Sequence, residues 1–139
     1  MDKWHLNKGE TILRKSLHQM YGGGGQGGIS PSSKSPNLFV FSDHDAGVKH
    51  GYADRWDGDL FLYIGEGQVG DQKMTRGNKA ILNHIEENRS IRLFWGSSGE
   101  VTYGGKFEID DLEPWTVERR PSTGGPIRNV IVFRLREVD

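Results

Sequence analysis

The chain has 139 residues, enough for one domain with its own core, and is 34% hydrophobic and 27% charged. It has no cysteine, which excludes disulfides and thiolate zinc sites, and no apolar run approaches the ~18 residues that span a bilayer. The formal net charge is −1, so any affinity for nucleic acid must come from how charge is distributed along the chain.

Residues 1–9 are polar and lack the apolar run of a signal peptide, so the expected setting is the cytoplasm. Ile12, Leu13, Leu17 and Met20 fall near helical spacing, which predicts a first helix over 11–19. Four successive glycines at 22–25 end it. The stretch 22–36, GGGGQGGISPSSKSP, reads by composition as a long flexible loop of the kind that is functional or disordered. NLFVFS at 37–42 is a buried-strand signal, with a turn after it at 43–47. LFLYI at 60–64 is a second strand. Asp71 is a suitable N-cap, and Met74, Ala80, Ile81 and Ile85 suit one face of a helix reaching about residue 88. Strands are expected at 91–95, 99–109 and 129–135. Several short strands and two or three helices imply a single α+β domain over 1–139, built on a curved, partly open β-barrel.

Charge is segregated along this order. Residues 11–42 carry Arg14, Lys15 and Lys34 with no acid, and 119–136 carry five arginines with no acid. Residues 43–71 hold seven carboxylates against Lys49 and Arg55. A basic surround with an acidic centre suits a phosphate-gripping surface around a base-reading pocket, and equally a solvated surface clustered by chance. Tyr52, Asp54 and Tyr63 fall in the acidic segment. A carboxylate is the usual acceptor for the cytosine N4 amino group, and tyrosine rings offer flat faces for an extruded base. The alternative is that both tyrosines are core aromatics and Asp54 caps a turn.

The same segment resembles the SRA (SET- and RING-associated) domains of the PUA-like superfamily. The likeness rests on Gly51-Tyr52, Asp54, Phe61-x-Tyr63-x-Gly65, Asp71-Gln72-Lys73-Met74-Thr75 and Asn78-Lys79-Ala80. It implies a base pocket in which Tyr52 and Tyr63 sandwich a flipped 5-methylcytosine near Gly65 while an aspartate bonds its polar edge. Asp54 matches when counted backwards from Tyr63, because this chain is one residue shorter between the tyrosines; Asp57 competes for the role. The family's longer insertion with a basic finger is replaced here by Glu66, Gln68 and Val69 among glycines. The loop 22–36 lies where SRA domains carry a loop that enters the minor groove, which assigns base contacts to Gln26 and Ile29 and phosphate contacts to Ser30, Ser32, Ser33 and Lys34. At the start of the second helix, Lys73, Thr75, Arg76, Asn78 and Lys79 are candidates for the DNA backbone, with Asn78 alternatively pinning the bend. Similar bacterial sequences form the front half of modification-dependent endonucleases ending in an HNH nuclease domain.

Neither glycine run is followed by Gly-Lys-Ser/Thr, so a P-loop is excluded, and no HExxH occurs. Asp43-His44-Asp45 is the one metal-like cluster, and it reads equally as exposed turn residues. No catalytic triad, paired-carboxylate site or HNH centre can be assigned, so the chain is expected to be a reader and not an enzyme, with no cofactor. The expected partner is double-stranded DNA containing 5-methylcytosine, without a membrane, alongside an HNH nuclease domain or partner protein and at the bacterial nucleoid. A modification-dependent nuclease and a PUA-like RNA or modified-nucleoside binder are the alternatives. On this reading Asp54→Ala and Tyr63→Ala abolish methyl-dependent binding and leave the fold intact.

Overall fold

A computed structural model describes residues 4–43, 53–121 and 125–138. In chain order the described elements are β1 (Thr11–Leu13), α1 (Arg14–Tyr21), β2 (Ile29–Pro31), β3 (Asn37–Ser42), β4 (Arg55–Asp57), β5 (Leu60–Ile64), α2 (Arg76–Leu82), β6 (Ser90–Trp95), β7 (Glu100–Ile109), β8 (Trp115–Pro121) and β9 (Ile127–Val138). The strands form one nine-stranded sheet with the path β2-β3-β6-β7-β9-β5-β4, to which β1 adds on β7 and β8 on β9. Only the β3–β6 pairing is parallel among the described strands. The two ends of the path, β2 and β4, are not paired with each other, so the expected α+β, partly open barrel is what the chain adopts.

Strand β3 explains where the core sits. All six of its residues are buried, as a continuous apolar run requires when both faces of a strand are covered. Leu38 and Val40 face one cluster with Tyr63, Ile81, Leu93 and Phe133. Phe39 and Phe41, on the opposite face, join Leu17, Tyr21, Phe94 and Tyr103. The period-two alternation thus divides the core between the barrel interior, closed by α2, and an outer layer closed by α1. The sheet bends where β6 meets β7: the register shifts between Leu93 and Phe94, and Gly105, paired with Leu93, has φ +120°. A bulge with a glycine in that conformation increases the local coil of a sheet.

Both helices differ from the sequence expectation. Residues 11–13 pair with Thr102, Val101 and Glu100 of β7, and helix α1 begins only at Arg14. Backbone pairing at a sheet edge outweighs the helical spacing of Ile12 and Leu13. The second helix covers Arg76–Leu82 instead of 71–88. Asp71 does not cap it, because its Oδ1 accepts the Asn129 N–H at 2.8 Å. Beyond Leu82 the chain runs in turns through Asn88, whose φ is +57°. The stretch 22–36 is not a featureless loop either, since it contains β2 and is folded by its own serines.

Candidate functional site

Six segments line a cavity of ≈ 480 Å³: Arg14 at the start of α1, the glycine loop after that helix, the end of β3 with Asp43, residue Asp54 ahead of β4, the end of β5 with the bend beyond it, and Ser97 in the turn between β6 and β7. Gln26, Gly28, Phe41, Asp54, Tyr63 and Gly65 all line it. Asp54 also borders an adjoining hollow of ≈ 430 Å³ that includes Trp56, Phe61 and Trp95, so its carboxylate stands on the partition between two concavities.

The carboxylate is fixed by two hydrogen bonds. Asp54 Oδ1 accepts the Ile64 N–H at 2.8 Å and Oδ2 accepts the Ser42 hydroxyl at 2.6 Å. These charge-assisted bonds tie the ends of β3 and β5 together and set the direction of the carboxyl plane. Because Asp54 serves the Ile64 backbone, Asp54→Ala is expected to lower stability as well as binding. Asp57 is exposed on β4, paired in register with Leu60, and lines neither concavity. The structure brings Asp54, and not Asp57, to the cavity. Tyr63 is 5% exposed and belongs to the interior core, and it also lines the cavity. Its hydroxyl donates toward Phe41 O at 3.0 Å and Gly28 O at 3.2 Å. Tyr52, with Gly51, lies outside the described residues, as do His44 and Asp45 of the metal-like cluster.

Two side-chain amides frame the bend after β5. Asn78, 1% exposed, accepts the Glu66 N–H at 2.8 Å and donates to Glu66 O at 3.0 Å and Lys73 O at 2.9 Å. Its amide is engaged with the backbone, so Asn78 pins the bend and is not a phosphate contact. Gln72 donates to Gly65 O at 2.6 Å and accepts the Ile131 N–H at 2.8 Å, fastening the same bend to β9. A Cβ on Gly65 would lie 2.6 Å from Asn78 Oδ1, so this position has no room for a side chain. Lys73, Thr75 and Arg76 are exposed along a shallow groove of ≈ 580 Å³ shared with Glu66, Gln68 and Val69. Arg76 has φ +50°, a left-handed conformation unusual for a residue with a Cβ. Lys79 is exposed on α2 outside that groove.

The glycine loop divides its candidates. Gln26 is exposed at the cavity, and Ser33 and Lys34 are exposed further along, with Lys34 Nζ donating to Gln19 O at 2.9 Å. Ile29 is buried in the interior core. Ser30 accepts the Gly24 N–H at 2.7 Å and donates to Gly24 O at 3.1 Å. Ser32 donates to Tyr21 O at 2.7 Å and accepts the N–H groups of Lys34 and Ser35, each at 3.0 Å. The assignment of base contact to Ile29 and phosphate contact to Ser30 and Ser32 is therefore corrected. One packs inside and the two hydroxyls fold the loop, as buried polar groups must find partners.

Sequence reasoning missed Arg14, Phe41, Ser42 and Ser97 at this site. Arg14 is 4% exposed, and desolvation holds its pKa below the ordinary arginine value. The available signal was its place three residues before Leu17 on the face of α1 that turns inward. His18, one turn further, has its pKa lowered, first by burial and also by the charge of Arg14, against an opposing hydrogen bond to Gly22. Among the described residues no group of three or more His, Asp or Glu side chains could hold a metal ion, and no helix is long and apolar enough to cross a membrane.

The partly open barrel thus carries a cavity between its glycine loop and the β5 bend, lined by Asp43, Asp54 and Tyr63. Residues 8–139 match the model of the ScoMcrA-like SRA domains, and the chain belongs to that family. It is 27% identical, with a TM-score of 0.73, to the structure of the sulfur-binding and SRA domains of ScoMcrA complexed with phosphorothioated DNA, covering 96% of this chain and 40% of that one. ScoMcrA, as a type IV phosphorothioation-dependent restriction endonuclease, is matched at 26% identity and TM-score 0.73 over 96% of this chain and 25% of that one. The SUVH5 SRA domain bound to fully methylated CG DNA shares the fold at TM-score 0.66 and 23% identity, covering 96% and 89% of the two chains. The YDG domain-containing protein At5g47160 of Arabidopsis thaliana is 30% identical over 95 residues, 61% of this chain and 22% of that protein. The chain thus spans well under half the length of the curated relative and of ScoMcrA.

Proposed function

We propose that this chain is a reader of DNA containing 5-methylcytosine, holding the modified base outside the helix between Tyr63 and Asp54. The observation that carries the reading is the Asp54 carboxylate, oriented by bonds of 2.6 and 2.8 Å at the wall of a cavity that Tyr63 also lines. The N4 amino group of cytosine is a donor that such a carboxylate accepts, and a carboxylate accommodates more than one donor at a time. Lys73 and Arg76 flank the cavity's bend and supply the phosphate attraction, which makes affinity fall steeply with salt. Gln26 faces the cavity from the glycine loop and contacts the duplex beside the extruded base. A single buried methyl contributes roughly 0.8 kcal/mol, so the methyl group by itself yields a preference of a few fold.

The role fits a recognition module in modification-dependent restriction, acting at the bacterial nucleoid and itself without nuclease activity. Membership of the ScoMcrA-like SRA family supports this, as does the likeness to SRA domains named as complexes with methylated or phosphorothioated DNA.

The test is a binding series on one duplex left unmodified, hemimethylated and fully methylated, with structured RNA as competitor. Tighter binding of the methylated duplexes and weak competition by RNA are expected. Equal affinity for all three duplexes would sink the reading, and preferential RNA binding would replace it. Incubating methylated plasmid with Mg²⁺ or Mn²⁺ tests the catalytic alternative; cleavage abolished by one acidic substitution would establish an enzyme.

A further inference from the structure

Arg14 and Tyr63 hold the glycine loop from its two ends. Arg14 Nη2 donates to Gly24 O at 2.9 Å, and the Tyr63 hydroxyl reaches Gly28 O at 3.2 Å. Between these points stand Gly25, Gln26 and Gly27, all exposed and all lining the cavity. This hoop therefore presents a single side chain, Gln26.

The rest of the Arg14 guanidinium is fixed as closely. Nη1 donates to Ser97 O at 2.7 Å in the turn between β6 and β7, and the group lies 3.7 Å above the Phe41 ring. Nε donates to His18 Nε2 at 3.0 Å. Arginine has no acceptor, so His18 Nε2 must be the unprotonated nitrogen and Nδ1–H donates to Gly22 O at 2.7 Å. Helix α1 thus grips the loop at Gly22 and Gly24, and the base wall grips it at Gly28. None of the ion pairs among the described residues involves Arg14. Burying a guanidinium without a carboxylate partner is costly, and lysine could not span three carbonyl and ring acceptors at once. Free glycines lose the most backbone entropy on ordering, so a hoop held in place before DNA arrives avoids that cost at binding.

We propose that Arg14 is a positioning residue for methyl-dependent binding: it fixes the hoop 25–27 against the base wall, so that Gln26 and Tyr63 meet the duplex as one rigid unit. The proposal rests on the base-holding reading above. Arg14 itself is too buried to meet a phosphate, which separates its role from charge attraction.

The experiment compares wild type, Arg14→Lys and a variant with two glycines inserted after Gln26. Each is measured on methylated and unmethylated duplexes, by thermal melting, and by the fluorescence of 2-aminopurine beside the methylated cytosine. Arg14→Lys keeps the charge and loses the fork. The insertion leaves every pin intact at an exposed tip where added length is tolerated, and frees the hoop. Both variants are expected to keep the salt dependence of binding, to lose the fluorescence change, and to bring the methylated-to-unmethylated ratio to about one. If Arg14→Lys does not melt cooperatively, the insertion variant decides. A folded variant of either kind with wild-type preference and fluorescence overturns the proposal while leaving the reader function standing. A wild type without preference removes the reader function itself.

Discussion

Replacing Asp54 separates the carboxylate's service to the fold from its service to a base. In Asp54→Asn the amide oxygen can accept the Ile64 N–H, and the NH₂ group can donate to Ser42, whose hydroxyl rotates to accept. The change in stability should stay within about 1 kcal/mol, a shift of roughly 3–5 °C in Tm for a domain of this size. In Asp54→Ala both bonds vanish, and the N–H of buried Ile64 is left without its acceptor. The loss should reach about 2–4 kcal/mol, a fall in Tm on the order of 10 °C. For DNA the ranking changes. Asparagine can turn its NH₂ toward the cytosine amino group, donor against donor, and a hydrogen bond to a charged acceptor contributes ~1.5–3 kcal/mol. Asp54→Asn should therefore bind methylated duplex about 10- to 100-fold more weakly. Fluorescence anisotropy on matched duplexes, with melting curves on the same preparations, measures both. An asparagine variant with wild-type methylated affinity would remove Asp54 from base recognition.

Arg76→Gly should raise or preserve Tm, since glycine relieves a φ of +50° that costs a side-chain residue about 1 kcal/mol, yet weaken both duplexes and lower the salt slope by about 1. A fall in Tm with unchanged affinity would mark Arg76 as structural. His18 and His84 both have pKa values lowered, first by burial, so the unfolded chain binds protons more readily than the fold. Stability from these groups is complete above the unfolded histidine value of about 6.5 and is lost as pH falls toward their lower folded values. Urea midpoints at pH 7.5 and 5.0 should show the decline, and a midpoint that holds or rises at pH 5.0 refutes the sign. Gln72→Ala removes the acceptor of the buried Ile131 N–H and the donor to Gly65 O, and should cost about 1–3 kcal/mol by calorimetry. A calorimetric stability equal to wild type would show that the bend holds without Gln72.

The sequence carried the strands better than the helices for a physical reason. Strands β3, β5, β6 and β9 coincide with apolar runs whose burial depends little on what surrounds them. The helices depended on competition. Asp71 reads locally as an N-cap, but the Asn129 N–H of β9, distant in sequence, takes its carboxylate and starts the helix five residues later. Strand β8 was missed because Trp115 and Val117 alternate outward and are exposed, reversing the usual reading of apolar positions. Arg14 was missed because nothing local to α1 reveals that its acceptors are Gly24 and Ser97.

The most recognisable sequence block and the most important cavity residues are different sets. Asp71, Gln72 and Asn78 turn their side chains to Asn129, Ile131, Gly65 and Glu66, so they frame the bend without lining the main cavity. Gln72 joins the bend after β5 to β9, Asp71 fastens the chain beyond the bend to β9, and Asn78 holds the bend to itself, whatever ligand the cavity takes. They identify the fold. Asp54 and Tyr63, together with Gln26 on its short hoop, carry the chemistry on a frame that other side chains hold. A block that identifies a family can therefore be silent about its ligand, and specificity should be sought by varying Gln26, Asp54 and the residues around Glu66 while leaving Gln72 and Asn78 in place.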